Sequence, residues 1–308
     1  MSKRLKRSRL ELESLPDEML LKIFSYMNIQ ELLQYGQVSK RIRAICSDKS
    51  FWEETNLDEK KVEAEFIKFI LDRNCELLVV KNTVIDGNVK LNRPSKLSYL
   101  QLTGCCNDNF YDEILNSCSS LISLHLNCMK PSSNIVLQSL CKRNGQTLKY
   151  LDLGECKWIS NNSIQVILKY CTQLTKITLW GSNMSQNAMD LFVNGLSTSV
   201  KKVGANPYNV TDKHIETLVS RCNQIAYLDL SGTELTDTSI TSVIYHLKQS
   251  LEYLDIYGSN KISFEKVLEL KSMPKLRILK YGFKTWHTMV LRKKLPDLEI
   301  NQNDFRHF

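Results

Sequence analysis

Ten cysteines and five histidines are the side chains with the chemistry to ligate a metal or attack a carbonyl. Their spacing supports neither use. No Cys-x-x-Cys pair occurs, so a zinc ribbon or a thioredoxin-type dithiol lacks its spacing. There is no HExxH helix, GxSxG elbow, calcium loop or Gly-rich phosphate loop ending in Lys-Ser/Thr. His125 and Cys128 are the nearest thing to a Cys/His pair, but Cys128 falls in a slot that recurs along the chain, which favours packing. The acids form no cluster at ligand spacing. The sequence therefore predicts no catalytic residue, no metal site and no cofactor, and the chemistry left is that of binding.

The binding candidates are Lys176, Trp180, Lys202, Tyr227, Tyr253 and Tyr257, and a repeat puts them in one row. Leu97-SY-Leu100-Q-Leu102 aligns with Leu121-IS-Leu124-H-Leu126, Leu148-KY-Leu151-D-Leu153 and Leu174-TK-Ile177-T-Leu179. Val200-KK-Val203-G-Ala205, Ile225-AY-Leu228-D-Leu230 and Leu251-EY-Leu254-D-Ile256 follow, then Leu276-RI-Leu279-K-Tyr281 and Leu295-PD-Leu298-E-Ile300. These nine copies start 24, 27, 26, 26, 25, 26, 25 and 19 residues apart, and a weaker tenth begins near Cys75. Leu-x-x-Leu-x-Leu at this period is the pattern of leucine-rich repeats, whose units run about 20–29 residues. Period-two alternation makes each motif a half-buried strand.

The second half of each unit switches to helical spacing, as in Ile164, Ile167 and Leu168 or Ile215, Leu218 and Val219. Asn162, Asp212 and Asp237 are expected near the helix starts as caps. One strand and one helix cannot bury both apolar faces, so neighbours must stack. Cys105, Cys128 and Cys156 follow the strand motif and Cys118, Cys171 and Cys222 close the helix, two slots suited to small buried side chains. The Cys105-Cys106 doublet has no chemical reading.

Residues between and after the leucines point away from the core. These are Tyr99, Gln101, His125, Asn127, Tyr150, Asp152, Lys176, Thr178 and Trp180, then Lys202, Asn206, Tyr227, Asp229, Tyr253, Asp255, Tyr257 and Lys280. Tyr and Trp are common binding anchors. Lys176 and Lys202 share a slot in adjacent repeats, about 5 Å apart across a sheet. That pair suits an acidic or phosphorylated segment. The plainer reading is a solvated ladder of stacked tyrosines.

Residues 15–52 are different. Pro16 suits a first helical turn, Asn28-IQ-Glu31 is a capping-box pattern, and Gly36 breaks the run before a third helix. The first helix is too apolar for its module. Between 19 and 27 only Lys22 and Ser25 are polar, against Met19, Leu20, Leu21, Ile23, Phe24, Tyr26 and Met27. A helix apolar nearly all round is covered on several sides. About 40 residues bury too little surface to do that alone. The surplus must meet the repeats or a partner.

Leu15-Pro16-Asp17-Glu18, Ile23-Phe24, Glu31-Leu32-Leu33, Val38-Ser39-Lys40-Arg41 and Phe51-Trp52 resemble an F-box, with Ile42 where an aromatic is common. Together with cysteine-type repeats, and with SLPDEMLLKIFS, VLELKSMPKLRILK and LPDLEINQNDF, the sequence resembles the S-phase kinase-associated protein 2 family of F-box proteins over most of residues 14–305. The resemblance implies a substrate-recognition subunit of an SCF (cullin-RING) ubiquitin ligase, non-catalytic, acting in ubiquitin conjugation and proteasomal degradation. It implies binding of the S-phase kinase-associated protein 1 adaptor, and through it cullin and RING subunits. The adaptor face would be formed or supported by Leu15, Pro16, Leu20, Ile23, Phe24, Leu32, Val38 and Trp52. Substrates would be phosphorylated cell-cycle proteins, with a small cyclin-dependent-kinase regulatory protein as accessory subunit. The tail that crosses the concave face in that family has no counterpart before the sequence ends at Phe308. The alternatives are a leucine-rich scaffold or inhibitor without a ligase role, and a hydrolase with an unrecognised site.

Charge and length agree with this class. Lys and Arg number 41 against 33 Asp and Glu, a net +8, of which +5 lies in MSKRLKRSRL and +3 in the rest. A body this close to neutral gives no argument for nucleic acid. No apolar run approaches the ~18 residues of a membrane span, and the first ten residues lack the apolar core of a secretory signal. The basic start reads equally as a nuclear import signal or a solvated terminus, with nucleus and cytoplasm as the expected compartments. The expected class is α/β: a short all-helical F-box, then a leucine-rich-repeat solenoid with a curved parallel sheet and helices on the convex side. The expected divisions are a basic disordered tail (1–13), the F-box (14–57), a linking helix (58–74, amphipathic through Val62, Phe66, Phe69 and Ile70) and the repeats (75–308).

Overall fold

Capping and breaking residues set the first three helices where the sequence puts them. α1 (Asp17–Phe24) starts after Pro16, α2 (Ile29–Tyr35) after Asn28, and α3 (Lys40–Cys46) after Ser39. Asn28 Oδ1 accepts from the N–H groups of Gln30 and Glu31, and the Asn28 N–H donates to Glu31 Oε2 at 2.8 Å. Leu20, Phe24, Leu32, Ile42, Ile45 and Cys46 form a small core of their own. The structure, a computed structural model, describes residues 12–301 apart from 59, 89, 92, 105–107, 129–133, 206–208 and 283–284. The basic segment 1–11, the Cys105-Cys106 doublet and Asn206 lie outside the described residues.

The segment 58–73 is only partly helical. β1 (Glu54–Asp58) and β2 (Lys61–Glu63) precede a shorter α4 (Ala64–Leu71), followed by β3 (Leu77–Lys81) and β4 (Val84–Asp86). Thr55 and Leu57 are fully buried on alternate residues, which is strand periodicity, and β1 pairs in parallel with β3. The sheet therefore begins inside the span expected for the F-box. Phe66 and Phe69 pack against the repeat core and Ile70 is inside it.

The repeats follow as strand–helix units. These are β5 (Tyr99–Thr103) and α5 (Asp108–Ser117), β6 (Ser123–His125) and α6 (Asn134–Asn144), β7 (Tyr150–Asp152) and α7 (Asn161–Tyr170). Next come β8 (Lys176–Thr178) and α8 (Gln186–Gly195), β9 (Lys202–Gly204) and α9 (Asp212–Arg221), β10 (Tyr227–Asp229) and α10 (Asp237–Leu247). β11 (Tyr253–Asp255), α11 (Phe264–Leu268), β12 (Ile278–Lys280), α12 (Thr285–Lys294) and β13 (Glu299–Ile300) complete the order. Eleven strands form one parallel sheet, β1-β3-β5 and then β6 to β13 in sequence, and β2 pairs with β4 beside it. β3 is the weak tenth copy; β1 is an eleventh strand. One apolar core runs unbroken from Trp52 to Ile300.

Two details differ from the sequence reading. The helix caps are Ser160, Thr211 and Thr236, while Asn162, Asp212 and Asp237 lie just inside the helices. The two aspartates reach forward instead. Asp212 accepts from the N–H and hydroxyl of Thr236, and Asp237 from the N–H and hydroxyl of Ser263. Each thus clasps the cap of the next repeat. Cys118, Cys156, Cys171 and Cys222 are buried as expected, but Cys128 is exposed, at φ 59°, with its thiol donating to Glu155 at 2.9 Å. A left-handed turn there swings the side chain out.

Candidate functional site

The first candidate surface is the outer side of α1. Met19 and Ile23 are 51% and 37% exposed, and Tyr26 in the following turn is 83% exposed. A spacing of four puts Met19 and Ile23 on one side of the helix. Pro16, Leu33, Tyr35 and Val38 add further exposed surface on the module. Asp17 and Arg41 tie α1 to α3 through a 2.5 Å ion pair, and Arg41 also donates to the Leu15 carbonyl at 2.6 Å.

Of the eight residues assigned to the adaptor face, four are interior. Leu20, Phe24 and Leu32 fill the module's own core, so they shape the surface without forming it. Trp52 belongs to the repeat core at 1% exposure. Its ring meets Phe69 edge-on at 5.1 Å and its indole N–H donates to the Cys46 carbonyl at 3.0 Å. Trp52 is therefore the rivet that fixes α3 to the solenoid. Leu15 is half-buried, while Pro16, Ile23 and Val38 face water.

The second candidate surface is the concave sheet, where the registers stack equivalent positions into ladders. One ladder runs Tyr99, Ser123, Tyr150, Lys176, Lys202, Tyr227, Tyr253. The next runs Gln101, His125, Asp152, Thr178, Gly204, Asp229, Asp255, Lys280. Lys176 and Lys202 are direct neighbours and both half-buried. Burial, and then the nearby Lys202 ammonium, lower the Lys176 pKa.

Tyr227 and Tyr253 are less available than their positions suggest. They stack face to face, 3.8 Å between centroids and 8° between planes, and are 4% and 5% exposed. In-register aromatics on adjacent strands cover one another. Trp180 and Tyr257 are the exposed aromatics of this patch, at 37% and 61%. Each lies on a glycine of a neighbouring strand's loop. A Cβ at Gly154 would come 2.1 Å from Trp180 Nε1, and one at Gly282 2.4 Å from the Tyr257 ring. No repeat pattern in the sequence pointed to those seats.

The carboxylates beside the ladder do structural work. Asp152, Asp229 and Asp255 accept the N–H groups of Gly154, Ser231 and Tyr257, closing the turn after each strand. Burial and the neighbouring Asp229 push Asp255 up to about 6.

Ser123 Oγ lies 2.9 Å from His125 Nε2, and His125 Nδ1 lies 3.4 Å from Asp152 Oδ2. The order matches a hydrolase relay, but the setting does not. Ser123 is 5% exposed, and its N–H is spent in the sheet on the Ser98 carbonyl at 3.0 Å, so the serine supplies no oxyanion donor. Asp152 is shared with Asn127 Nδ2 and the Gly154 N–H. Burial raises Cys118, and the Glu155 contact raises Cys128, each to about 11, the opposite of thiol activation. Among the described residues no group of three His, Cys, Asp or Glu could hold a metal ion.

Two families match this architecture, one for each part. An F-box-like family covers residues 12–58, and the SKP2 LRR domain covers residues 65–308. The chain is thus an F-box/leucine-rich-repeat protein, a non-catalytic adaptor class. Within that class it belongs to the SKP2 LRR domain family. An F-box joined to such repeats implies an SCF substrate-recognition subunit that binds a Skp1-like adaptor. Among solved structures, Rad7 in the yeast Rad7–Elc1 complex shares the fold at 14% identity, with a TM-score of 0.54 over 92% of both chains. LegL7 from Legionella pneumophila, a leucine-rich-repeat-containing protein, is 13% identical, with a TM-score of 0.47 over 78% of this chain and 82% of its own.

Proposed function

We propose that the α1–α3 module seats this chain on a Skp1-like adaptor, and so on cullin and RING subunits, while the concave sheet holds the protein to be ubiquitinated. One observation carries the reading: Met19 and Ile23 on α1, and Tyr26 in the turn that follows it, all stand in water. Large apolar side chains left exposed on so small a module mark a contact surface. The fold's solved relative Rad7 is seen with a second protein, Elc1, which supports partner binding by this architecture.

The chain's contribution is positional. It turns the meeting of substrate and ubiquitin-charged enzyme into an encounter within one complex, raising effective concentration. That works best through a stiff joint. Trp52, Phe66 and Phe69 pack together between module and solenoid, with ring centroids 5.1–6.3 Å apart. Phe51 packs against both cores. Phosphorylated cell-cycle proteins as substrates, proteasomal degradation as their fate, a cyclin-dependent-kinase regulatory subunit as accessory partner and a nuclear and cytoplasmic location extend the reading through family resemblance.

The test is co-purification with the adaptor, followed by mass spectrometry of proteins captured by wild type and by Trp180→Ala. Adaptor recovered with both, and proteins lost from the Trp180 variant, is the expected result. A chain that captures proteins but never the adaptor would be a scaffold without a ligase role.

A further inference from the structure

One stretch near the end of the chain carries as much charge as the whole. Residues 261–294 hold ten of the 41 Lys and Arg and two of the 33 Asp and Glu, a local +8, while the other 31 basic and 31 acidic residues cancel. Two of the ten cations are paired, Lys261 with Glu234 at 2.8 Å and Lys266 with Glu269 at 2.9 Å. Lys280 lies on the concave ladder, its Nζ 5.8 Å from the centre of the Tyr253 ring. Lys284 lies outside the described residues. The other six are Lys271, Lys275, Arg277, Arg292, Lys293 and Lys294, all exposed and none in an ion pair among the described residues.

These six fall on two consecutive helix-to-strand connections. One runs from the tight turn at Glu269–Ser272 into β12, the other from the last turn of α12 into β13. β12 and β13 pair in parallel, so the two connections enter the sheet side by side at its rim. A cleft of about 170 Å³ lies where they meet, lined by Leu270, Met273, Leu276, Leu295 and Leu298, with Pro274, Pro296, Lys271 and Lys294. An aliphatic cavity of about 150 Å³ takes a benzene-sized group, so this cleft has room for one leucine-sized side chain. Asp297 is the acid among its lining residues. It is outnumbered by the two lysines of the cleft alone, and four more cations stand on the same connections. Like charges gathered on one rim repel, and an anionic partner relieves that repulsion.

We propose that this rim of the last two repeats docks an acidic segment of a partner protein, with one aliphatic side chain in the cleft and flanking Asp or Glu side chains against the six cations. Charge complementarity sets the sign of the partner, and the cleft sets its class. Single-stranded nucleic acid stacks its bases on aromatic rings, and the cleft has no aromatic residue among its lining. A membrane surface takes apolar side chains that project outward between cations, whereas Met273, Leu276 and Leu295 are 4–5% exposed and line the cleft from within. The rim is separate from the concave ladders and from α1, so the inference holds whether or not the chain serves a ligase.

The experiment uses the full chain and short fluorescent peptide pools: Asp and Glu around a central Leu, Asp and Glu around a central Ser, and Lys around a central Leu. A labelled single-stranded DNA and vesicles containing phosphatidylserine are run beside them. Anisotropy should show binding of the acidic Leu pool, weakening with salt. The acidic Ser pool should bind about 10-fold more weakly, the effect of losing one buried leucine side chain, and the Lys pool should not bind. Lys271→Glu with Lys294→Glu should weaken the acidic Leu pool at least ~10-fold at an unchanged melting temperature, since both side chains are exposed. Lys275→Glu with Lys293→Glu, a second pair on the same rim, should act alike. Lys142→Glu, exposed on α6, should leave binding unchanged. Equal binding of the Leu and Ser pools, binding that survives both double substitutions, no binding of any peptide pool, or DNA or vesicles bound in preference to peptide would overturn the inference.

Discussion

Replacing Met19, Ile23 and Tyr26 together by alanine should all but abolish adaptor binding and leave the fold intact. These residues are 51%, 37% and 83% exposed, so between one and two side chains' worth of apolar surface remains for a partner to cover. At about 1.5–3 kcal/mol per large apolar side chain fully buried, covering it is worth roughly 3–5 kcal/mol. That is a loss of about two to three and a half orders of magnitude in Kd. The core of Leu20, Phe24, Leu32, Ile42, Ile45 and Cys46 keeps its contacts, so the melting temperature should stay put. Leu20→Ala is the control. Leu20 is fully buried, and truncating such a residue costs about 2–5 kcal/mol of stability. Titration calorimetry against purified adaptor, alongside thermal melts, separates the two effects. A triple variant that binds within about fivefold of wild type at an unchanged melting temperature would refute the assignment of this surface.

Three further outcomes follow from the repeats. Asp255→Asn should stabilise the protein at pH 7.5 by about 1–3 kcal/mol, the cost of ionising a carboxyl whose native pKa is raised by about two units. Asp255 sits near 6, and stability from such a group falls as pH rises from its unfolded value of about 4. The variant's advantage should therefore vanish near pH 4 in denaturant titrations; an advantage that persists there contradicts the buried-pair reading. Asp212→Ala breaks the clasp on Thr236 and Ser239 and should cost about 1–3 kcal/mol, with faster amide exchange at the start of α10. Hydrogen bonds hold the Asp212 pKa down despite opposing burial, so that contribution should be present above pH 4 and fade below it. Gly154→Ala must eject the Trp180 ring, since the new Cβ would sit 2.1 Å from Nε1. Tryptophan emission should shift to the red, and protein capture should fall as far as it does for Trp180→Ala.

The repeat and its core were legible because period two and helical spacing alternate along the sequence, and stacking leaves those apolar residues nowhere else to go. β1 does not show in the repeat pattern because Glu54–Asp58 carries Thr55 and Leu57 inward in place of two leucines. The excess of oily residues on α1 was visible, but the division between Leu20 inside and Ile23 outside depends on where α3 packs. Trp52 reads as part of the F-box motif; only the position of Phe66 and Phe69 reveals it as the joint. On the concave face, period two sets the direction of Tyr227 and Tyr253, yet direction is not exposure when two rings stack at 3.8 Å. Spacing alone gives Asp212 and Asp237 the look of caps of their own helices, because it carries no information about the neighbouring repeat they reach.

Amide hydrogen exchange on the chain with and without a Skp1-like adaptor bears most directly on the division of labour between module and solenoid. Protection on adding adaptor should fall within residues 15–52, strongest along α1, with β5 to β13 unchanged. Protection centred on the concave strands, or none at a saturating adaptor concentration, would contradict the account.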